Sequence, residues 1–344
     1  MSRLASSSAR FLVVGALAAV IVLSGCNPFS CTTGFCDPLM ADVAQKAGDV
    51  GSYLAVGRAD EAATGNAEFG RAATLGKSGR ASVALRATGT ARHTPSVTGV
   101  PVQFNGVAAS QFPTDQSSVG TISIDGSLGL WRGLRAFGDS RFGGVDLIAG
   151  ATRFQDMPDN SLHIVANGSW GGSIGFRIGL LDESRTRPAL SYSYVGRWVP
   201  GFAFQSDQFG SQGGNVGTIG GGANNLSVRS WRLAGSKEIG RFGLTVGYGS
   251  DAYGGDLDYQ ASIGDPNPRQ GSRAWTLDVS RKNVVVGASY RIGAATVAGE
   301  FGHLGDANSE LSYAPPFNQF GGSSYGHSRN YLSFGVRIGP RTVP

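Results

Sequence analysis

Val284-Val285-Val286-Gly287-Ala288-Ser289-Tyr290-Arg291 decides the fold, because Val284, Val286, Ala288 and Tyr290 fall on one side of an extended chain and Val285, Gly287, Ser289 and Arg291 on the other. A period of two with one lipophilic side and one mostly small or polar side is the mark of a strand with two different environments. The same texture recurs along the chain. Val83, Leu85 and Ala87 alternate with Ala84, Arg86 and Thr88, and Ile174, Phe176, Ile178 and Leu180 alternate with Ser173, Gly175, Arg177 and Gly179. Leu244, Val246 and Tyr248 face Thr245 and Gly247, and Leu332, Phe334, Val336 and Ile338 alternate with Ser333, Gly335 and Arg337.

Ten such segments are expected, near residues 80–91, 119–131, 143–155, 172–181, 188–199, 226–236, 242–262, 272–291, 295–304 and 329–338. A hairpin hidden in 156–171 would make twelve. Alternation alone suits a soluble sandwich as well as a membrane barrel. Three features select the barrel. Residues 242–262 and 272–291 are long enough to run past a bilayer, and Trp131, Trp198, Trp231, Tyr192, Tyr194, Tyr290 and Tyr331 sit near strand ends, where aromatic girdles lie. The connections also alternate: 92–118, 156–171, 200–225, 263–271 and 305–328 are mostly long, whereas 132–142, 182–187, 237–241 and 292–294 are shorter. Long outer loops and short periplasmic turns are the asymmetry of an outer-membrane barrel. The fold class is therefore all-β, a transmembrane antiparallel up-and-down barrel over residues 80–344, preceded by a helix.

Composition agrees. The 344 residues include 54 glycines and only 15% charged residues, about twice the glycine of an average soluble domain. Past residue 25 no apolar run is long enough for a membrane helix. Arg3 and Arg10, the apolar stretch Phe11–Leu23 and the small residues Ser24 and Gly25 form an export signal over 1–25, expected to use the Sec pathway. Leu23-Ser24-Gly25-Cys26 also matches a lipobox, which would lipidate Cys26; ordinary cleavage after Cys26 is the alternative. Cys31 and Cys36 then form the obvious disulfide pair in an oxidising compartment, since no cysteine follows. Other pairings involving Cys26, or none, remain open. Removing the two signal arginines leaves 27 basic against 24 acidic residues (29 minus 2, and 24), so no basic stripe points to nucleic acid.

Residues 26–79 are expected to be a periplasmic linker with an amphipathic helix at 39–57, where Leu39, Val43, Ala47, Val50 and Leu54 recur near helical spacing. Residues 58–79 read as a loop or weak helix. Because the lumen-side glycines and serines leave room, the helix is expected to plug or cap the lumen from the periplasm.

Gly144-Val145-Asp146-Leu147 with the stretch Gly175–Ser184, and Ser230-Trp231-Arg232-Leu233-Ala234 followed by Gly247-Tyr248-Gly249, resemble a family of uncharacterised porin-like outer-membrane proteins. The likeness spans most of residues 80–338 as strand texture and short matches, and implies no assigned activity. The chain departs from the usual aromatic barrel ending, since Phe334 is followed by Gly339-Pro340-Arg341-Thr342-Val343-Pro344.

Arg86, Asp125, Asp146, Arg177, Arg291, Glu300 and Arg337 fall on the inward face and are the candidates for lining the lumen. They form either a charge-selective channel wall or an ion-pair network that stiffens a narrow barrel; the network is favoured. His93, His163, His303 and His327 map to outer ends or loops beside Asp156, Asp159 and Asp306. A metal site or a hydrolytic rim is the sharp interpretation and ordinary polar loops, which are favoured, the bland one. No catalytic motif, metal site or cofactor is expected. The expected partners are outer-membrane lipid, the barrel-assembly machinery and small solutes. Three functions remain: porin-like passage of small solutes through an open or gated lumen, a structural and surface-interaction role carried by the outer loops, or, ranked last, an outer-rim hydrolase.

Overall fold

Alternation of this kind leaves every strand with unpaired backbone groups on both edges, which a sheet in lipid can satisfy only by closing on itself. The computed structural model describes residues 38–64, 69–76, 78–97, 114–137, 140–157, 161–209, 217–263, 269–309 and 327–340. Helix α1 (Pro38–Ala63) precedes β1 (Ala81–Pro95), β2 (Thr114–Trp131), β3 (Leu134–Phe137), β4 (Ser140–Phe142), β5 (Gly144–Phe154), β6 (His163–Ala166), β7 (Trp170–Leu181) and β8 (Ala189–Trp198). β9 (Phe202–Phe209), β10 (Gly217–Ile239), β11 (Phe242–Ile263), β12 (Arg269–Ile292), β13 (Ala295–Leu304), β14 (Asn308–Ser309) and β15 (Arg329–Ile338) follow. The antiparallel pairings run β1–β2–β5–β7–β8–β10–β11–β12–β13–β15 and return to β1, so ten strands close a barrel.

All ten expected strands are present. β15 ends at Ile338, paired with β1 on one side and β13 on the other. Residues 161–171 supply β6, which pairs with β9 instead of forming a hairpin, and β9 in turn extends beside β10. Gly240 and Gly293 take positive φ (66° and 62°) in the two-residue turns between β10 and β11 and between β12 and β13, a region only glycine enters readily.

The outward face is lipophilic. Val83, Leu85, Ile122, Ile124, Ile174, Phe176, Leu244, Val246, Val286, Phe301, Phe334 and Val336 are all exposed. A monomer in water rarely exposes apolar surface on this scale, so the band is built for lipid. Its limits can be read along β11: Phe242, Leu244, Val246 and Tyr248 are exposed, whereas further along the outward side carries Asp256 and Asp258. Trp131, Trp198, Tyr194 and Tyr290 are also exposed. Tyr331 is a correction to the expected girdle: it is buried in the lumen, because it shares the parity of Ser333 and Arg337. Gly302 lies directly across from it on β13 and leaves room for its ring.

The strands are unequal in height. β12 has 24 residues, about 80 Å of strand; tilted as in such barrels it rises about 60 Å against a lipid band of about 25 Å. The excess of β10, β11 and β12 stands beyond the band on the long-loop side.

Candidate functional site

Small inward residues set the interior at bilayer depth. Ser123, Ser173, Ser191, Ser193, Ser236, Thr245 and Ser333 are buried there with several glycines. A ten-strand wall this slim has room for one more pass of chain, and residues 69–76, an irregular segment with a turn at Phe69–Gly70, take it. Gly70 N–H donates to Glu300 at 2.8 Å, Ala72 N–H to Ser236 Oγ at 3.0 Å and Leu75 N–H to Asp146 Oδ2 at 3.0 Å. A backbone amide in this dry interior must find such an acceptor. The wall glycines explain the fit: a Cβ on Gly144 or Gly179 would come within 2.9 Å of the Thr74 side chain.

Six of the seven inward candidates are buried and the seventh, Arg291, is half-buried at the short-turn rim. Asp146 accepts both Nε and Nη2 of Arg177 at 3.1 and 2.7 Å, and Arg86 pairs with Asp125 at 3.1 Å. Arg291 pairs with Glu238 at 2.6 Å, Arg337 donates to the Phe69 carbonyl at 3.0 Å, and Glu300 holds Gly70. Arg86 also lies over the Phe69 ring, 5.9 Å from its centroid. A cavity of about 20 Å³, bordered by Phe69, Arg71, Asp125, Arg177 and Arg337, has room for about one water.

The helix is displaced from its expected place. It occupies the long-loop half of the molecule, above the lipid band, and does not cap the short-turn mouth. Val43, Val50, Tyr53, Leu54 and Val56 join Phe154, Phe202, Phe204, Leu226, Tyr253, Leu257, Tyr259 and Leu277 in one buried cluster. The reason is size matching: at bilayer depth the inward arginines and carboxylates leave space among the serines and glycines for a single non-helical segment, whereas the extension of β10–β12 offers a wide apolar wall. The helix is also two-sided. Lys46, Asp49, Arg58, Asp60 and Glu61 are as buried as its apolar residues, because it is enclosed all round.

Charges near its C-terminal end meet partners at short range. Asp60 pairs with Arg281 at 3.0 Å and Arg329 at 3.3 Å and accepts from Tyr253 at 2.8 Å; Glu61 pairs with Arg58 at 3.0 Å and Arg92 at 2.8 Å. Just below, Asp251 accepts Arg232 at 2.8 and 2.9 Å and Asn283 at 3.2 Å. Inward parity on β10 and β11 would have revealed Arg232 and Asp251. Nothing local in 58–79 signals that Gly70, Ala72 and Leu75 dock on the wall.

On the short-turn side, Thr74 Oγ1 donates to Asp182 at 3.3 Å and Glu238 N–H donates to Glu183. Burial pushes both carboxyls above their ordinary values. On the long-loop side, His163, His303 and His327 are exposed, and His303 Nδ1 lies 2.8 Å from Asn330 Oδ1, an amide that cannot serve as a base. Asp306 accepts the Ser328 N–H. Cys26, Cys31, Cys36 and Asp159 lie outside the described residues, as does the side chain of His93.

No protein-family model matches the sequence, and no curated protein does either. Among solved structures, the chain is similar to a deletion mutant of the monoaromatic hydrocarbon channel TodX (13% identity over 78% of this chain and 69% of that one, TM-score 0.30). It is similar also to the outer-membrane protease OmpT of Escherichia coli (15% identity, 76% and 96%, TM-score 0.30) and to an anion-selective porin of Comamonas acidovorans (9%, 75% and 98%, TM-score 0.17). These are outer-membrane barrels of unlike activity.

Proposed function

We propose that the protein is an outer-membrane barrel closed by its own chain, and that its role is structural or adhesive, carried by the extension above the membrane. The observation that supports this best is the docked segment 69–76, whose amides bond to Glu300, Ser236 and Asp146 across the lumen. An open pore needs a continuous aqueous wall of free polar groups. Here the inward arginines and carboxylates face one another or the threaded segment. The second reading, a gated channel, requires this segment to leave, which breaks those three amide bonds at about 1 kcal/mol each and unpairs charges besides.

Conductance of the refolded barrel in planar bilayers tests the proposal, with heat-modifiable gel migration as the check on assembly. The full chain is expected to be silent. Removing residues 39–57 leaves the crossing segment in place and the barrel still silent, while removing 38–76 opens it. Steady conductance from the full chain would refute closure.

A further inference from the structure

Helix α1 leads outward when followed back toward its N-terminus. Asp60 accepts from Tyr253, and Gly48 lies against the ring of Tyr259, to which a Cβ would come within 3.1 Å. Twelve helical residues rise about 18 Å and six strand residues about 20 Å, so the helix lies along β11 with its N-terminus toward the long-loop end. Asp60 already sits above the lipid band, since Arg281 and Arg329 lie beyond the last lipid-facing residues Val284 and Leu332 of their strands. From Asp60 the chain descends to Phe69, which meets Arg337, then to Leu75, which meets Asp146 near the short-turn rim, and enters β1 there. In chain order the path is long-loop side, lumen, short-turn rim, barrel wall.

We infer that the mature chain N-terminal to α1 lies on the outer surface of the cell, so that the barrel displays its own N-terminus through its own lumen. This uses the orientation in the proposed function, with long loops outside. It also assigns a place to Cys26. If the helix tilts with β11, Pro38 stands roughly 25 Å above the rim of the lipid band. The 12 residues from Cys26 to Pro38 span at most about 42 Å. That reaches back down to the outer leaflet. It falls short of the inner leaflet, about 50 Å away across a band of about 25 Å, and the lumen route is already filled by residues 69–76. A lipid on Cys26 therefore anchors outside, and a chain without one presents Cys31 and Cys36 to the surroundings.

The protein carries its own probes, since Cys31 and Cys36 precede α1 and, besides Cys26, are its only cysteines. Intact cells are treated with a membrane-impermeant reductant and then with a polyethylene-glycol maleimide too large to cross the outer membrane. The expected result is a gel shift as large in intact as in permeabilised cells. Two controls on a Cys31→Ser/Cys36→Ser background fix the orientation: Gln260→Cys on the extension gains a shift in intact cells, and Arg241→Cys in a short turn gains one only after permeabilisation. Native cysteines that stay unlabelled in intact cells while the Gln260→Cys control labels overturn the inference. Reversed controls overturn the orientation instead, and with it the proposed function.

Discussion

Gly70 gives the sharpest energetic test of the threaded lumen. Its φ is +67°, and an added Cβ would meet the Cβ of Ala298 on β13 at 2.8 Å. Gly70→Ala therefore incurs two separable costs. Holding a non-glycine residue in the left-handed region costs about 1–2 kcal/mol, and forcing a methyl into a packed wall about 1–3 kcal/mol, together roughly 2–5 kcal/mol. Ala298→Gly removes only the second. The double variant should thus recover part of the loss, leaving the conformational cost and the smaller penalty of a glycine in a strand, about 0.5–1 kcal/mol. The assay is urea unfolding of the refolded barrel, read by heat-modifiable migration, for the wild type, both single variants and the double variant as a cycle. If Gly70→Ala matches the wild type, or if Ala298→Gly gives no relief, residue 70 does not lie against β13 and the threaded path is wrong.

Asp146→Ala removes the acceptor of both Arg177 and Leu75 N–H. Breaking a buried pair from one side costs about 3–5 kcal/mol, so the urea midpoint should fall sharply, whereas Asp258→Ala on the exposed face of the extension should leave it nearly unchanged. Asp182 and Glu183 have folded pKa values raised above 3.8 and 4.5 by burial. The folded protein then holds more protons than the unfolded chain, so their contribution is greatest below those ordinary values and is lost as pH rises through the raised ones. Stability measured from pH 4 upward should therefore decline more in the wild type than in Asp182→Asn/Glu183→Gln; parallel curves would contradict the burial of this turn. Gly302→Ala should destabilise by displacing the Tyr331 ring and its 3.3 Å bond to Asn283, visible as a change in tyrosine near-ultraviolet circular dichroism.

Much of the architecture is legible in the sequence because lipid leaves a strict record. Val286 and Leu244 must face outward and Arg177 and Asp146 inward, so parity alone locates strands and lumen. Tyr331 shows the limit of arguing from residue type: an aromatic near a strand end suggested a girdle, but parity placed it inside opposite Gly302. The filling of the lumen was not legible. Serines and glycines on the inward face reveal space, not its occupant, and the amphipathic helix reads as the natural plug. Its bulk suits the wide apolar extension around Tyr253 and Tyr259, and the thin crossing fell to Phe69–Gly76, where Gly70 and the wall glycines Gly144 and Gly179 permit close approach. Docking of this kind is set by long-range partners such as Glu300 and Ser236, which no local period encodes.

Whether residues 69–76 lie inside the barrel can be decided by one covalent bond. A Cβ on Gly144 would stand 3.6 Å from the Cβ of Thr74, within the span of a disulfide. On a Cys31→Ser/Cys36→Ser background, Thr74→Cys/Gly144→Cys should oxidise to a cross-link between these two positions in the folded barrel, identified by peptide mapping and reversed by reductant. A folded barrel whose two introduced thiols remain free under oxidation would contradict a lumen threaded by its own chain.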